Sequence, residues 1–389
     1  MINANTCFVL YKFSGFFAAI ILIIAVSCQE PTERVLPNEN RGLQSANNDE
    51  FDFAPPLTAD AWTIRDRYLE PSTNEQIFGQ RITPRDILDF GDIYGLLYQS
   101  RDYDHPTTES ASIMFSHDKI NWVDSPANPI FGELIQPWQG TRAMAEALDW
   151  DDGNDRWVMI ITGNGEEHYP GLRATGLVYS KDLLNWELES NNPVITSENI
   201  DWTDGSTNRV YVRGFKKYQG YWYVWIVVNT EVGLLNEPAL GARPGEPVDD
   251  IGKMNIGLLK SQDLLNWESI PANPILQPGM EGEWDDRMVL PGRPILFENR
   301  WYLAYTNEAR NQVGIAWSDT LEGKWHKAPG NPILDFDDIS LEGTEAPILT
   351  PMGVGWGIIL AAWDPNERRQ LGKMTIATAR FSPEILPDF

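Results

Sequence analysis

The sequence predicts an all-β chain folded as a five-bladed β-propeller, and two observations carry that prediction. A motif recurs four times, and a hairpin pattern recurs five times. The motif is clearest in Gly176-Leu-Val-Tyr-Ser180-Lys-Asp182-Leu-Leu-Asn-Trp186, followed by Asn192-Pro-Val-Ile195. Its other copies are Ser116-His-Asp118 to Trp122 with Asn128-Pro-Ile, Ser261-Gln-Asp263 to Trp267 with Asn273-Pro-Ile, and Ser318-Asp319 to Trp325 with Asn331-Pro-Ile. A fixed local pattern on a loose long period marks a repeat architecture. Within each copy a short apolar run reads as a strand. Ser-x-Asp reads as a turn, because these short side chains bond to backbone just ahead of them. The Trp is expected to pack between neighbouring sheets, and Asn-Pro to end the unit. Such a sheet cannot bury both faces alone, which favours a closed ring over a β-sandwich.

Taken in order, Phe51 to Gln80 is hard to read. Trp62-Thr-Ile-Arg-Asp-Arg-Tyr68 within it reads as a strand or a helical turn, and this segment is expected to supply the strand that completes the last blade. Five hairpins follow: Asp86–Phe90 into Ile93–Tyr98, Glu146–Trp150 into Trp157–Thr162, and Val210–Phe215 into Tyr221–Trp225; then Pro294–Phe297 into Trp301–Tyr305, and Glu345–Thr350 into Trp356–Leu360. Turn residues between β-branched and aromatic runs are the hairpin signal. The first four hairpins run into the motif, the fifth into Lys373–Thr378. Thr230–Ile251 is a long insertion in the third unit, rich in Pro and Gly, and loops of that length are commonly functional or disordered; it reads either as a cover over one mouth of the pocket or as a mobile surface flap.

Composition narrows the function. With 30 Lys and Arg against 56 Asp and Glu, the 389-residue chain carries a net charge of −26. Nucleic acid is excluded as a partner on that account, because phosphate binding needs a basic footprint. Sixteen Trp exceed what the repeat uses, and flat rings suit the apolar faces of sugars.

The N-terminus reads as a processing signal over residues 1–27. Lys12 flanks an apolar run, Phe16 to Val26, that is short for a bilayer span. Ala25-Val-Ser-Cys28 then resembles the lipobox of bacterial lipoproteins. Cys7 lies in the part removed, which leaves Cys28 as the one remaining cysteine and a lipidation site. Residues 28–50 read as a flexible tether, and residues 51–389 as the propeller. Gln29 after the cysteine implies the outer membrane, with the chain lipid-anchored at the cell surface.

In a propeller the innermost strands start beside the axis, so residues just before each hairpin are the place to seek a site. Those residues are Asp86, Glu146, Arg213, Arg293 and Glu345. Asp204 and the pair Asp285 and Asp286 lie a few residues upstream of hairpins and are further candidates. Paired carboxylates suit glycosidic bond cleavage, where one must be protonated and the other ionised, and converging negative charges drive their pKa values apart. The aspartates of Asp149–Asp155 lack the closing Glu of a calcium loop, since Ile160 stands there, and read as an acidic hairpin turn. The four His show no ligand spacing. No metal site, cofactor motif or nucleophile elbow is present.

Five units with Ser-x-Asp-x-x-x-Trp and Asn-Pro-Ile motifs over residues 80–380 resemble the five-bladed glycoside hydrolases of families 43, 32 and 130, family 43 being nearest. That resemblance implies a carbohydrate substrate and an inverting mechanism of the β-xylosidase or α-L-arabinofuranosidase kind. It implies a general base at Asp86, in Pro84-Arg-Asp86-Ile, and a general acid at Glu345, in Glu345-Ala-Pro347. The chain departs from the family in having Glu345 on the fifth unit and Arg213-Gly-Phe where a third-blade Asp-Pro would stand; Glu146 is a candidate for the third acid. Arg213 and Arg293 would contact substrate, as would Asp285 and Asp286. Two other readings are open: a carbohydrate-binding propeller without catalysis, and a family 130-like phosphorylase with Arg142, Arg213 and Arg293 on phosphate.

Overall fold

The structure is a computed structural model that describes residues 6–7, 26–27, 54–65, 81–101, 109–132, 143–163, 174–203, 210–229, 253–307, 311–336, 342–352, 355–363 and 373–379. Two short strands, β1 (Thr6–Cys7) and β2 (Val26–Ser27), pair antiparallel within the N-terminal unit, residues 1–44. The rest of the expected signal, the tether and the 230–251 insertion lie outside the described residues.

The second unit, residues 45–389, is nearly all β. Its described sheets number five, one for each hairpin unit of the sequence. Sheet one is β4 (Arg81–Asp89), β5 (Tyr94–Arg101), β6 (Glu109–Ser116) and β7 (Val123–Asp124). Sheet two is β8 (Ala143–Asp151), β9 (Arg156–Gly163), β10 (Ala174–Ser180) and β11 (Trp186–Leu188). Sheet three is β12 (Val210–Tyr218), β13 (Tyr221–Asn229), β14 (Met254–Ser261) and β15 (Glu268–Ser269). Sheet four has a split inner edge, β16 (Leu290–Pro291) and β17 (Ile295–Phe297), beside β18 (Arg300–Thr306), β19 (Gln312–Ser318), β20 (His326–Lys327) and β21 (Leu334–Asp335). Sheet five is β22 (Glu342–Met352), β23 (Gly355–Trp363) and β24 (Lys373–Ala379), completed by β3 (Trp62–Arg65). The pairing of β3 with β24, Ile376 opposite Arg65 to Ala379 opposite Trp62, is the closure expected from the sequence. Inner strands touch in the order β4, β8, β12, β16, β22 and back to β4, which makes a propeller.

The repeated motif works through side chain to backbone bonds. Ser180 Oγ accepts the amide of Asp182, and Asp182 Oδ1 accepts those of Leu184 and Asn185. The same set recurs at Ser116 and Asp118 and at Ser261 and Asp263. The donated amide of Asn185, above all, holds the Asp182 carboxyl down at about 2. These bonds fold the turn without a helix or ladder. The Asn of Asn-Pro does more than end the unit. Asn192 Oδ1 accepts from Leu177 N at 2.8 Å and its Nδ2 donates to Leu177 O at 2.9 Å. Asn128, Asn273 and Asn331 bracket Ile113, Leu258 and Ile315 in the same way. One amide side chain thus supplies both partners that a neighbouring strand would, and buried backbone groups require such partners.

The Trp of each copy packs against the preceding sheet. Trp186 donates to Ile130 O at 2.7 Å and meets Phe131 edge-on. Trp267 is buried with Tyr179 and Ile195 of sheet two, and the amide of Trp325 reaches Ile275 O at 3.0 Å. At the seam where the ring closes, Lys119 Nζ donates to Pro351 O at 3.0 Å and lies over the Tyr94 ring. Burial pushes that ammonium down to about 8.

Asn192→Ala leaves the Leu177 amide unpaired in a buried strand, while the Leu177 carbonyl keeps the Glu189 amide at 3.1 Å. It is expected to lower unfolding free energy by about 1–3 kcal/mol, read as a fall in the urea midpoint at unchanged m-value. Asn192→Asp keeps the acceptor but not the donor and should fall between.

Candidate active site

The inner strands carry one residue too many at corresponding places. In β4, Pro84 pairs with Tyr98 and Asp86 with Leu97, so Arg85 is the extra residue. In β8, Ala145 pairs with Ile161 and Ala147 with Ile160, so Glu146 is extra. In β12, Val212 pairs with Ile226 and Gly214 with Trp225, which makes Arg213 extra. Sheet four takes four steps from Pro291 to Ile295 against three on β18, from Tyr305 to Tyr302, around Gly292-Arg293-Pro294. In β22 three steps from Glu345 to Ile348 face two on β23, and Ala346 has φ 52°. A β-bulge of this kind bends the strand and re-aims a side chain.

The bulges bring charged groups from four sheets to one hub. Glu146 Oε2 accepts from Arg213 Nη1 at 3.0 Å and lies 3.2 Å from Arg85 Nη1. Arg85 is fixed in turn by Gln99, whose Oε1 takes its Nε at 3.1 Å. Asp86, next along β4, turns between sheets one and two, where Oδ2 accepts the Leu148 amide at 3.2 Å. Arg293 reaches from sheet four to lie 2.9 Å from Asp86 Oδ1, close enough for an ion pair but off the hydrogen-bond direction. Sheets four and five meet just beside it. A Cβ on Gly292 would lie 1.7 Å from Pro347 O, so only glycine fits there.

Burial sets the electrostatics. Asp86 is 0 % exposed and Glu146 1 %. Burial raises the Asp86 carboxyl to about 6, despite the opposing pull of Arg293, the Leu148 amide and Lys216; Asp149 adds to the rise. Glu146 has two guanidiniums on one oxygen, and its Oε1 is buried without a hydrogen-bond partner.

The predicted residues divide. Glu146 pairs with Arg213 and Asp86 with Arg293, in two ion pairs linked through the chain neighbours Arg85 and Asp86. Glu345 sits on β22 beside the bulge, and its side chain lies outside the described residues, as do Asp204 and Arg142. Asp285 does not join the hub: it is buried against sheet four, where Tyr305 Oη donates to its Oδ2 at 2.9 Å and Lys327 Nζ of β20 sits at 2.7 Å. Asp286 Oδ2 accepts the Gly282 amide at 2.7 Å and closes a local turn. Neither has the substrate-facing place expected of it, because each is spent on the 279–286 loop and its packing. Sequence reading missed Arg85. Its signal was its place beside Asp86 after Pro84, obscured because hairpin turns of unequal length hide the alignment of bulges. The acidic hairpin Asp149–Asp155 is bound by sheet three, through Lys216 on Asp149 and Lys217 on Asp151 and Asp152. Among the described residues, no three His, Cys, Asp or Glu side chains are grouped to hold a metal.

Comparison with known proteins agrees with this architecture. No family model matches the sequence, and no curated protein sequence matches it. Among solved structures, a thermostable family-43 glycoside hydrolase superposes over 80 % of this chain and 94 % of its own, at TM-score 0.53 and 19 % identity. A further glycoside hydrolase superposes over 78 % and 89 %, at 0.51 and 15 %. A mutant of the Bombyx mori family-32 β-fructofuranosidase BmSUC1, in complex with sucrose, matches over 80 % of this chain, at 0.52 and 15 %; the match spans 61 % of that enzyme. The chain has the fold of the propeller glycoside hydrolases. At these identities the likeness is one of fold, and the chemistry has to be read from the hub.

A carboxyl raised on folding makes the folded state bind a proton the unfolded state has lost. Stability from Asp86 is therefore full below its unfolded value near 4 and falls as pH rises to about 6, by about 3 kcal/mol over that window. Asp86→Asn, which cannot ionise, should flatten this part of the pH dependence and equal or exceed the native chain in urea midpoint at pH 7. A wild-type midpoint that rises from pH 4 to 6, with Asp86→Asn tracking it, would contradict the assignment.

Proposed function

We propose that the chain is a glycoside hydrolase acting on plant or algal polysaccharides or their oligosaccharides, with Asp86 and Glu146 as its paired carboxylates. The observation that carries this reading is their opposite treatment at one hub. Asp86 is held up to about 6 by burial, while two arginines pair with Glu146. Glycosidic cleavage needs that division, one carboxyl giving a proton to the leaving oxygen and a carboxylate activating water. Keeping five charged groups at a buried hub costs stability that apolar residues of similar size would restore, and perturbed carboxyls of this kind concentrate at functional sites.

On this reading Asp86 holds the proton below about pH 6, the reverse of the base role that the family resemblance implies. Glu146, paired with Arg85 and Arg213, takes the proton of the attacking water. Arg293 moderates Asp86 and, at 18 % exposure, is the more open of the hub groups toward substrate. Glu345-Ala-Pro347 supports a third acid on sheet five. Within the class, the reading is an inverting β-xylosidase or α-L-arabinofuranosidase.

The burial of both carboxylates in ion pairs also favours a second reading, a propeller that binds glycans without cutting them. Reducing-end release from xylan or arabinan by the native chain separates the two, and turnover that requires phosphate would instead point to phosphorolysis by the arginine-rich hub. Asp86→Asn and Glu146→Gln are each expected to lose about 10²–10⁴-fold in kcat. On an aryl glycoside whose leaving group needs no proton, Asp86→Asn should regain most of its rate and Glu146→Gln should not. Full activity in either variant on natural substrate removes that residue from the pair.

We further propose that Cys28 carries a lipid that holds the chain at the outer membrane, which Ala25-Val-Ser-Cys28 and Gln29 support. Cys28→Ser should move the protein from the membrane fraction to the soluble one. Unchanged membrane association in that variant would overturn the proposal.

A further inference from the structure

Away from the hub, a groove of about 500 Å³ follows the seam between sheets three and four. Its walls include Lys253 at the foot of β14, Met280, Glu283, and Lys324, Trp325 and Lys327 around β20. Three lysines on one groove run against the field of a chain carrying −26. Lys324 Nζ donates to Pro274 O at 2.6 Å, and Lys327 Nζ lies 2.7 Å from the buried Asp285. An ammonium has three donors, so each fixed lysine keeps others for a ligand. Glu283 is the one acidic wall residue, and its Oε2 already accepts the Met280 amide at 2.8 Å.

The floor adds an independent sign. In the other three repeats the indole N–H donates to the carbonyl three residues back, Trp122 to Lys119, Trp186 to Leu183 and Trp267 to Leu264. The fourth copy spans seven residues from Ser318 to Trp325 where the others span six, and that local bond is lost. Trp325 is 5 % exposed, and its Nε1 is buried without an acceptor. A buried, unsatisfied donor carries a desolvation cost that an acceptor would relieve. Met280, 74 % exposed at the rim, offers apolar contact beside the charges.

We infer that this groove binds an acidic polysaccharide through its carboxylate or sulfate-ester groups, apart from the hub. Lysines meet the anionic groups, and Met280 covers a ring face. The choice of a polysaccharide rests on the glycoside hydrolase reading; the anion chemistry does not. Such a site would hold polymer to the enzyme while the hub acts on another part of the chain, raising effective concentration.

Affinity electrophoresis of the full chain tests this, with polygalacturonate, a sulfated galactan or neutral xylan cast in the gel. Migration should be retarded by one or both acidic polymers, and less so as salt rises. The double variant Lys253→Gln/Lys324→Gln should weaken that retention about tenfold or more, while hydrolysis of small aryl glycosides stays unchanged. Lys327 is spared because its loss would strand Asp285. Retention by polygalacturonate alone assigns carboxylate, by the galactan alone sulfate ester. Absence of retention by either acidic polymer, or retention unaltered in the double variant, overturns the site. Glu146→Gln provides the separation from the hub: it should keep retention and lose cleavage. Retention lost in the lysine variant of a chain that cuts no glycan would leave the groove standing and the hydrolase reading fallen.

Discussion

The hub depends on a single backbone device, at least one residue in excess in each innermost strand. In a regular strand, neighbours alternate between faces, so a strand packed between two sheets would send its side chains into those sheets. The extra residue breaks that alternation locally and frees one side chain for the hub. Because the excess falls at corresponding places, Arg85, Glu146 and Arg213 come into contact although they are far apart in sequence. Arg293 arrives by another route, on a link that splits the inner edge of sheet four and needs Gly292 to pass Pro347.

The charges so gathered also hold the ring. Glu146 joins sheets one, two and three through two arginines, and Asp86 joins sheet one to sheets two and four. A buried ion pair gives weak net stability, because desolvation of both groups offsets their attraction. Here the offset is visible in Asp86, whose carboxyl stays raised with an arginine beside it. The hub therefore holds two buried carboxyl groups in different surroundings at a cost in stability.

The sheets and their order were legible because their signals are local. Hairpin turns, Ser-x-Asp and Asn-Pro each act over a few residues, whereas the closing strand Trp62–Arg65 was expected from ring closure rather than from its own residues, which read equally as a strand or a helical turn. The function of the Asn was not legible. Its amide brackets a strand residue, which shows only when Asn192 is seen on both the amide and the carbonyl of Leu177. The hub was half legible. Glu146, Arg213 and Arg293 stand just before hairpins as expected, but Arg85 was passed over for Asp86, because a bulge shifts register by one without altering composition. Asp285 failed for the opposite reason: proximity in sequence to an inner strand says nothing about a loop that folds back on Tyr305 and Lys327.

The fold neighbours explain why chemistry must be argued from so few positions. At 15–19 % identity the same propeller is kept. Its sheets ask only for apolar side chains on both faces, a workable turn and a bracket for the third strand, and many sequences satisfy those demands. Substitution at a bulge leaves the ladder as it was, since the extra residue is not part of the pairing. The positions that decide the reaction are thus the ones the fold constrains least, and two propellers can share every sheet while differing at each hub residue. In this chain those positions hold arginines and a glutamate, with an aspartate one step along, and any glycan it cuts must enter a hub richer in guanidinium than in exposed acid.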